Sequence, residues 1–418
     1  EPIHDGNFVA DGLLFPDRTP SPGLLEYKKV VEPVRMLATG RHHLSVENHY
    51  EVRDLTHLRF GWVLEEEGRP VAEGVLAIPA TAPGETSVIA LPTFPPTTRE
   101  TWLTVRAVLA DDGPWAPAGH EVAWAQLQVT APKLSSPHPS RAGSVVTGSH
   151  VRLGPGLFTS DGQLSRLGEL DLSTPLLDVW RAPIDNDRPF AWAAQEPLWR
   201  QIGLDRMQHR VDEVKVEGDE IVVHARVAPA GTMLGLLATY RWSPLEDGLL
   251  LRVDVTPEGD WQCSLPRLGV RMSVPAGLGH VAWFGQGPGE AYPDSARAAR
   301  VGRFEQTVEQ WQTPYVFPQE NGNRTGVRWA TLTDGDGAGL LVEGQPTVDL
   351  TVRRWTTEDL DAARHTSDLV PGDRLWVNID VAHNGLGSAS CGPGVLPQYR
   401  LELQPTRFAV ALRTLRRG

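Results

Sequence analysis

The sequence predicts an all-β protein: an immunoglobulin-like sandwich followed by a large antiparallel β-sandwich. Three observations carry that prediction. Apolar and polar residues alternate at period two in short runs along most of the 418 residues. The 41 glycines and 35 prolines are scattered, as in chains built from many short strands and turns. No strand–helix–strand alternation occurs, which argues against a doubly wound or barrel core within this stretch.

Length and composition bound the rest. A chain of 418 residues exceeds one ordinary core, so two or three domains are expected. Hydrophobic content of 40% and charged content of 22% fit a globular protein. A net charge of −13 argues against a nucleic-acid partner, which needs a basic face. No apolar run approaches the ~20 residues of a membrane span, so no membrane partner is expected. Cys263 and Cys391 lie too far apart for a metal spacing or a disulfide framework, which suits a reducing, cytoplasmic compartment. No signal peptide is visible. The chain opens on Glu1-Pro2-Ile3 without a Met and reads as a fragment of something longer. Of the 14 Trp, most are expected in sandwich cores, although Trp faces also suit sugar surfaces.

In order, residues 1–22 read as a structured loop, the stretch Asn7–Pro22 carrying two Asp and three Pro with little periodicity. Leu24–Val30 suggests one helical turn, ended by Pro33. Strands are expected at Val34–Ala38, His43–Tyr50, Leu58–Leu64, Val75–Ile78, Ser87–Leu91, Trp102–Leu109 and Val122–Val129. About seven strands in ~100 residues is the immunoglobulin-like pattern, here without Cys and so without the antibody disulfide. Residues 131–149 are rich in Pro and Ser and read as a linker. Beyond them, strands are expected at Val151–Leu153, Val214–Val216, Glu220–Val227, Leu249–Val255, Leu268–Val274, Leu340–Glu343, Val348–Val352, Leu375–Val381 and Tyr399–Leu403. Pro197–Ile202 alone suggests a helix start there.

Several stretches bear on function. Trp283–Asp294 leaves an apolar strand end and enters a loop with Gly285, Gly287 and Gly289, then Glu290, Tyr292 and Asp294. Glycine permits positive φ there, and the segment is either a ligand-facing loop or an ordinary turn. Its glycine spacing is not a phosphate loop, because no helix opens after it. Trp180–Asp187 either ligates a hard cation through Asp185, Asn186 and Asp187, or pins a loop by pairing Arg181 with Asp185 or Asp187; the second is favoured. Asp334–Gly339 reads as a hairpin turn. His42, His43 and His49 cannot converge from one strand. His383 is either a ligand contact or a satisfied loop histidine. No Gly-x-Ser-x-Gly elbow is present, and the residues alone nominate no pair of carboxylates for glycoside cleavage.

Five stretches in order, Phe8–Pro20, Trp180–Asp187, Trp283–Asp294, Thr313–Gly322 and His383–Gly387, together resemble the C-terminal part of the large β-galactosidases of glycoside hydrolase family two. The resemblance implies that residues 1–29 are the tail of a catalytic barrel and its connection. It implies an immunoglobulin-like domain over 30–131, a linker over 132–149 and a terminal, galactose-mutarotase-like supersandwich over 150–418. It implies a retaining hydrolase of β-D-galactosides of the lactose type, whose two catalytic Glu lie upstream, so that this chain holds no catalytic residue and is inactive alone. By the same resemblance the Phe8 carbonyl and the Asp11 side chain ligate a monovalent cation, sodium, with Asp11 where the family often has Asn. Magnesium would be held by ligands outside this chain. The loop 285–294 resembles one that closes over bound sugar, and Asp11, Gly287, Glu290, His383 and Cys391 are the implied substrate-facing residues. Cys391 stands where the family places a stacking Trp, which implies a weaker preference for glucose as leaving group. The implied partners are the missing N-terminal part, a galactoside and further copies in a homo-oligomer. The rival reading is a stand-alone galactoside-binding or structural β-sandwich module.

Overall fold

A computed structural model describes residues 12–40, 42–94, 97–132, 139–140, 144–147, 149–189, 194–387 and 394–417. The chain divides into two compact units. One comprises Pro20–Leu134 with Arg300–Arg303, and the other holds residues 12–19 and the remainder.

In the first unit, helix α1 (Pro22–Val30) opens with Ser21, whose hydroxyl accepts the Leu24 N–H, and with Pro22 in its first turn. It runs longer than the single turn expected and groups with this unit. Seven strands follow: β1 (Val34–Ala38), β2 (His43–Asn48), β3 (Leu58–Glu66), β4 (Arg69–Leu76), β5 (Thr86–Ala90), β6 (Thr101–Leu109) and β7 (Glu121–Thr130). They form antiparallel sheets of order β1-β2-β5 and β4-β3-β6-β7. Alternate residues point inward, so Val34, Met36, Leu44 and Val46 share one core with Phe60, Leu64, Leu103 and Val105. Six of the strands expected from period-two alternation are present, and the fourth, expected at Val75–Ile78, lies mostly upstream as Arg69–Leu76.

The second unit begins inside the expected linker. β8 (Ser144–Thr147) pairs with β9 (His150–Leu153), so these linker residues are sheet. With β10 (Gly156–Thr159), β11 (Leu164–Leu167) and β12 (Leu170–Asp171) they make a five-stranded sheet. A twelve-stranded sheet follows. Its main path uses β13 (Leu176–Asp178), β14 (Gln208–Glu217), β15 (Glu220–Ala228), β16 (Gly235–Pro244), β17 (Gly248–Glu258), β18 (Arg267–Pro275), β22 (Gly339–Arg353), β23 (Arg374–His383) and β24 (Thr406–Leu415). The order is β13-β18-β23-β22-β24-β17-β16-β15-β14, with β19 (His280–Gly287), β20 (Arg300–Thr307) and β21 (Arg324–Thr333) branching from it. Residues 340–343 and 348–352, expected as two strands, are one long strand that changes neighbours. β22 pairs β24 over Gly339–Gly344 and β23 over Asp349–Arg353. Trp180, Trp199, Trp242, Trp283 and Trp311 are buried in this unit's core, fewer than the majority of the 14 Trp expected there.

Two expectations fail here. Tyr399–Leu403 is not a strand. Its backbone is spent on loops, with the Tyr399 carbonyl accepting Gly385 N–H, Leu401 N–H donating to Asn384 and the Leu401 carbonyl accepting Leu265 N–H. The last strand is β24. Besides α2 (Glu196–Ile202), two short α-helices occur among the described residues of this unit, α3 (Val308–Trp311) and α4 (Thr357–Ala362). Both start with a capping box, Thr307 with Gln310 and Thr356 with Asp359, a signal readable in the sequence. The Asp334–Gly339 turn joins β21 to β22, with the Asp334 carboxylate accepting Asp336 and Ala338 N–H. No helix among the described residues is long and apolar enough to cross a membrane.

Candidate functional site: a loop cluster over a buried ionic core

Four of the five singled-out stretches meet in the second unit. Arg181, fully buried, reaches both oxygens of Asp187 at 3.0 Å. Its guanidinium also donates to the Asn384 carbonyl at 2.9 Å and the Gly385 carbonyl at 3.2 Å. Asn186 donates to the carbonyls of Leu386 and Gly387. Of the two readings of Trp180–Asp187, the loop-pinning pair is therefore the one formed, with Asp187 as the partner. Gln319 joins Asp185 through both ends of its amide, and Glu320 N–H donates to the Ala182 carbonyl.

The loop after β19 is held as firmly. Glu290 accepts from Thr313 Oγ1 (2.8 Å), Tyr315 OH (2.7 Å) and Gly322 N–H (2.8 Å). Ala291 exchanges hydrogen bonds with Asn323. Asp294 receives Leu386 N–H at 2.8 Å and Gly387 N–H at 2.7 Å. Gly385 must be glycine, since a Cβ there would stand 2.5 Å from Asp294 Oδ2.

Beneath these loops lies an ionic core. Arg267 on β18 contacts Asp380 Oδ2 at 3.0 Å, His383 Nε2 at 3.1 Å and Glu320 Oε1 at 3.7 Å. Arg353 at the end of β22 donates to Glu320 Oε1 and to the Asn321 carbonyl, both at 2.7 Å. Tyr292 OH donates to Glu320, and its ring meets His383 edge-on. Two guanidinium groups thus balance two carboxylates in a fully buried place, where an unpaired charge would be costly. Burial pushes the Glu320 carboxyl up, but Arg353 and Arg267 override it and hold it down to about 2. Burial lowers the His383 imidazole below its ordinary value, against the opposing pull of Asp380.

This placement bears on the expected site residues. Gly287 is placed in a strand and not in the loop. It lies in β19 without positive φ, and a Cβ would meet the Phe304 and Trp283 rings at 2.9 Å. Gly285 likewise admits Val327, whose Cα would be 2.8 Å from an added Cβ. The glycines serve close packing, which sequence spacing does not distinguish from turning. The oxygens of Glu290 are engaged by its three donors. The His383 side chain is 0% exposed, with Nε2 at 2.8 Å from Asp380 and Nδ1 buried without a hydrogen-bond partner. In this arrangement His383 is sealed from solvent and the Glu290 oxygens are engaged by protein donors. Phe8, Asp11 and Cys391 lie outside the described residues.

Chemically, the cluster fixes loops. Glu320 and Asp380 both contact Arg267, yet both side chains are 0% exposed, so no glycoside reaches between them. Among the described residues no group of three His, Cys, Asp or Glu is placed to hold a metal. Sequence reading missed Arg267, Arg353 and Asp380. A signal existed: Asp380 interrupts the apolar run of β23, and Arg353 ends that of β22.

A family model described as the β-galactosidase small chain matches residues 158–412, and one described as β-galactosidase domain 4 matches residues 44–130. A β-galactosidase of an Arthrobacter species is 34% identical over 99% of this chain and 44% of its own length. Those of Aeromonas hydrophila and Kluyveromyces lactis are 32% and 29% identical over 96% and 98% of this chain, and 41% and 40% of theirs. The chain thus spans about two fifths of the length of the curated relatives it matches. A galactose mutarotase-like protein from Lactobacillus casei aligns over 65% of this chain and 99% of its own, at 12% identity and a TM-score of 0.33. The match of the small-chain model to well over half of the residues, preceded in order by domain 4, makes this chain a member of the β-galactosidase family, comprising its C-terminal domains.

Proposed function

We propose that this chain is the C-terminal part of a retaining β-galactosidase that hydrolyses terminal β-D-galactose residues of lactose-type substrates. Its loops complete one wall of the active site, and the acid/base and nucleophilic Glu lie upstream. One observation carries this reading: the chain matches β-galactosidases almost end to end while covering only 38–44% of them. The number in the description "domain 4" implies earlier domains. The sealed carboxylates of the ionic core support a scaffolding role for the part in hand.

In this reading the Phe8 carbonyl and the Asp11 carboxylate hold a sodium ion beside the galactose. Both are oxygen donors, the right class for a hard cation. Magnesium is held by the upstream part. Cys391 offers no flat surface to a glucose leaving group, so the preference for lactose over other galactosides is weak. The intact enzyme is a cytoplasmic homo-oligomer.

The test is covalent trapping. A 2-deoxy-2-fluoro-β-galactoside with a good leaving group accumulates the glycosyl-enzyme of a retaining hydrolase. With the full-length protein, peptide mapping is expected to place the label on a Glu outside these 418 residues. A label on Glu290, Glu320 or any other residue of this chain contradicts the proposal.

A further inference from the structure

The segment Asn384–Gly387 follows the end of β23, yet every N–H and carbonyl in it has a partner. Asn384 N–H donates to the Pro266 carbonyl at 3.1 Å and Gly385 N–H to that of Tyr399 at 2.9 Å. The carbonyls are taken by the side chains of Arg181 and Asn186. The remaining N–H groups, of Leu386 and Gly387, are successive and converge on one carboxylate. Asp294 accepts the first at Oδ1 (2.8 Å) and the second at Oδ2 (2.7 Å). Gly387 stands at φ +71°, and a Cβ there would lie 3.0 Å from Val395 N. Successive N–H groups turned to one side in this way form a nest, a concavity that binds anions.

The geometry selects the anion. Of the three side chains that hold this segment, Arg181 and Asn186 donate and Asp294 accepts. Two acceptors are needed side by side. A carboxylate supplies both, whereas a side-chain amide offers one oxygen and turns an NH2 toward the second N–H. The seat is narrow, since a Cβ added at Gly385 would lie 2.5 Å from Asp294 Oδ2 and 2.9 Å from Val395 Cγ1, and this suits a small planar group. Asp294 is half-buried and not sealed, so a small solute can enter the seat once the side chain is removed.

We infer that the Leu386–Gly387 nest is a carboxylate-binding site that the chain fills with its own Asp294, and that Asp294 is thereby a positioning residue, tying the loop after β19 to residues 384–387. Asp294 acts through the backbone that it holds. Its positioning role rests on the proposal that these loops complete a wall of the galactosidase site; the nest itself does not.

The experiment is chemical rescue in the full-length protein. Asp294→Ala empties the nest, and Asp294→Asn fills it with an amide. The unfolding temperature is followed against sodium formate, with sodium chloride at equal ionic strength as the control. The Ala variant is expected to unfold several degrees below the unsubstituted protein and to regain most of that loss saturably with formate, as a ligand bound to the folded state alone requires. The Asn variant and the unsubstituted protein are expected to respond to formate and chloride alike. A loss that formate leaves unchanged, an equal formate response in the Asn variant, no loss in the Ala variant, or an Ala variant unfolded at every formate concentration overturns the inference. Hydrolysis of a nitrophenyl β-D-galactoside is read beside it. In the Ala variant kcat/KM is expected to fall by about 10- to 100-fold and to recover over the same formate concentrations as the unfolding temperature. Thermal rescue without recovery of kcat/KM overturns the positioning role. An unsubstituted protein without galactosidase activity overturns the galactosidase reading instead, and the unfolding measurement still decides the nest.

Discussion

At the scale of single residues, the second unit is organised by charges that have left water. Glu320 is held by Arg353 and Arg267 at a carboxyl pKa of about 2, below the ordinary 4.5. Its contribution to stability is therefore fully present above pH 4.5 and is lost as pH falls through about 2. Glu320→Gln takes the buried Arg353 guanidinium's carboxylate away while Arg267 keeps Asp380, and a loss of about 3–5 kcal/mol is expected in denaturant unfolding at neutral pH. Asp349 behaves oppositely. Burial, and to a lesser extent Asp380, push its carboxyl up to about 7 against the Gly326 N–H that it accepts. Between about pH 4 and 7 the folded state keeps a proton that the unfolded state has lost, so this group's contribution falls as pH rises through that window. Asp349→Asn retains the acceptor without the charge. It is expected to stabilise the protein by roughly 2–4 kcal/mol at pH 8 and by almost nothing at pH 4, measured by unfolding at both. These residues were the least legible ones. A lone Asp or Arg in a strand reads as an outward-facing charge, and only a partner more than twenty residues away makes it an inward one.

At the scale of elements, period-two alternation was enough for the small sandwich, where one face of each strand is wet. It served less well in the large sheet. β16 carries two adjacent leucines and ends in Pro244, which blurs its alternation, and β10 to β13 are too short to show a period. Tyr399–Leu403 alternates like a strand, but its backbone is claimed by the 384–387 loop and Leu265. The glycines of β19 show the same ambiguity between turning and packing. Gly287→Ala places a methyl 2.9 Å from the Phe304 and Trp283 rings. Overpacking is expected to cost about 1–3 kcal/mol, seen as a lower unfolding midpoint with an unchanged denaturant slope. A neutral or stabilising substitution would contradict the close-packing role given to Gly287.

At the scale of the whole molecule, stretches about 200 residues apart in sequence, such as those around Arg181 and Asn384, are hydrogen-bonded into one cluster. Their common origin in one family was legible as a resemblance; their mutual contacts were not, because they depend on which strand ends the fold brings together. The cluster holds loops in place over a charge-balanced core and offers no open pair of carboxylates. The account therefore makes this chain a scaffold whose chemistry resides in the polypeptide that precedes it in the longer relatives. Turnover of a nitrophenyl β-D-galactoside by the purified 418-residue chain, beside the full-length protein, tests that most directly. The account predicts release of nitrophenol by the full-length protein and none above background by the chain alone. Sustained turnover by the chain alone would contradict it.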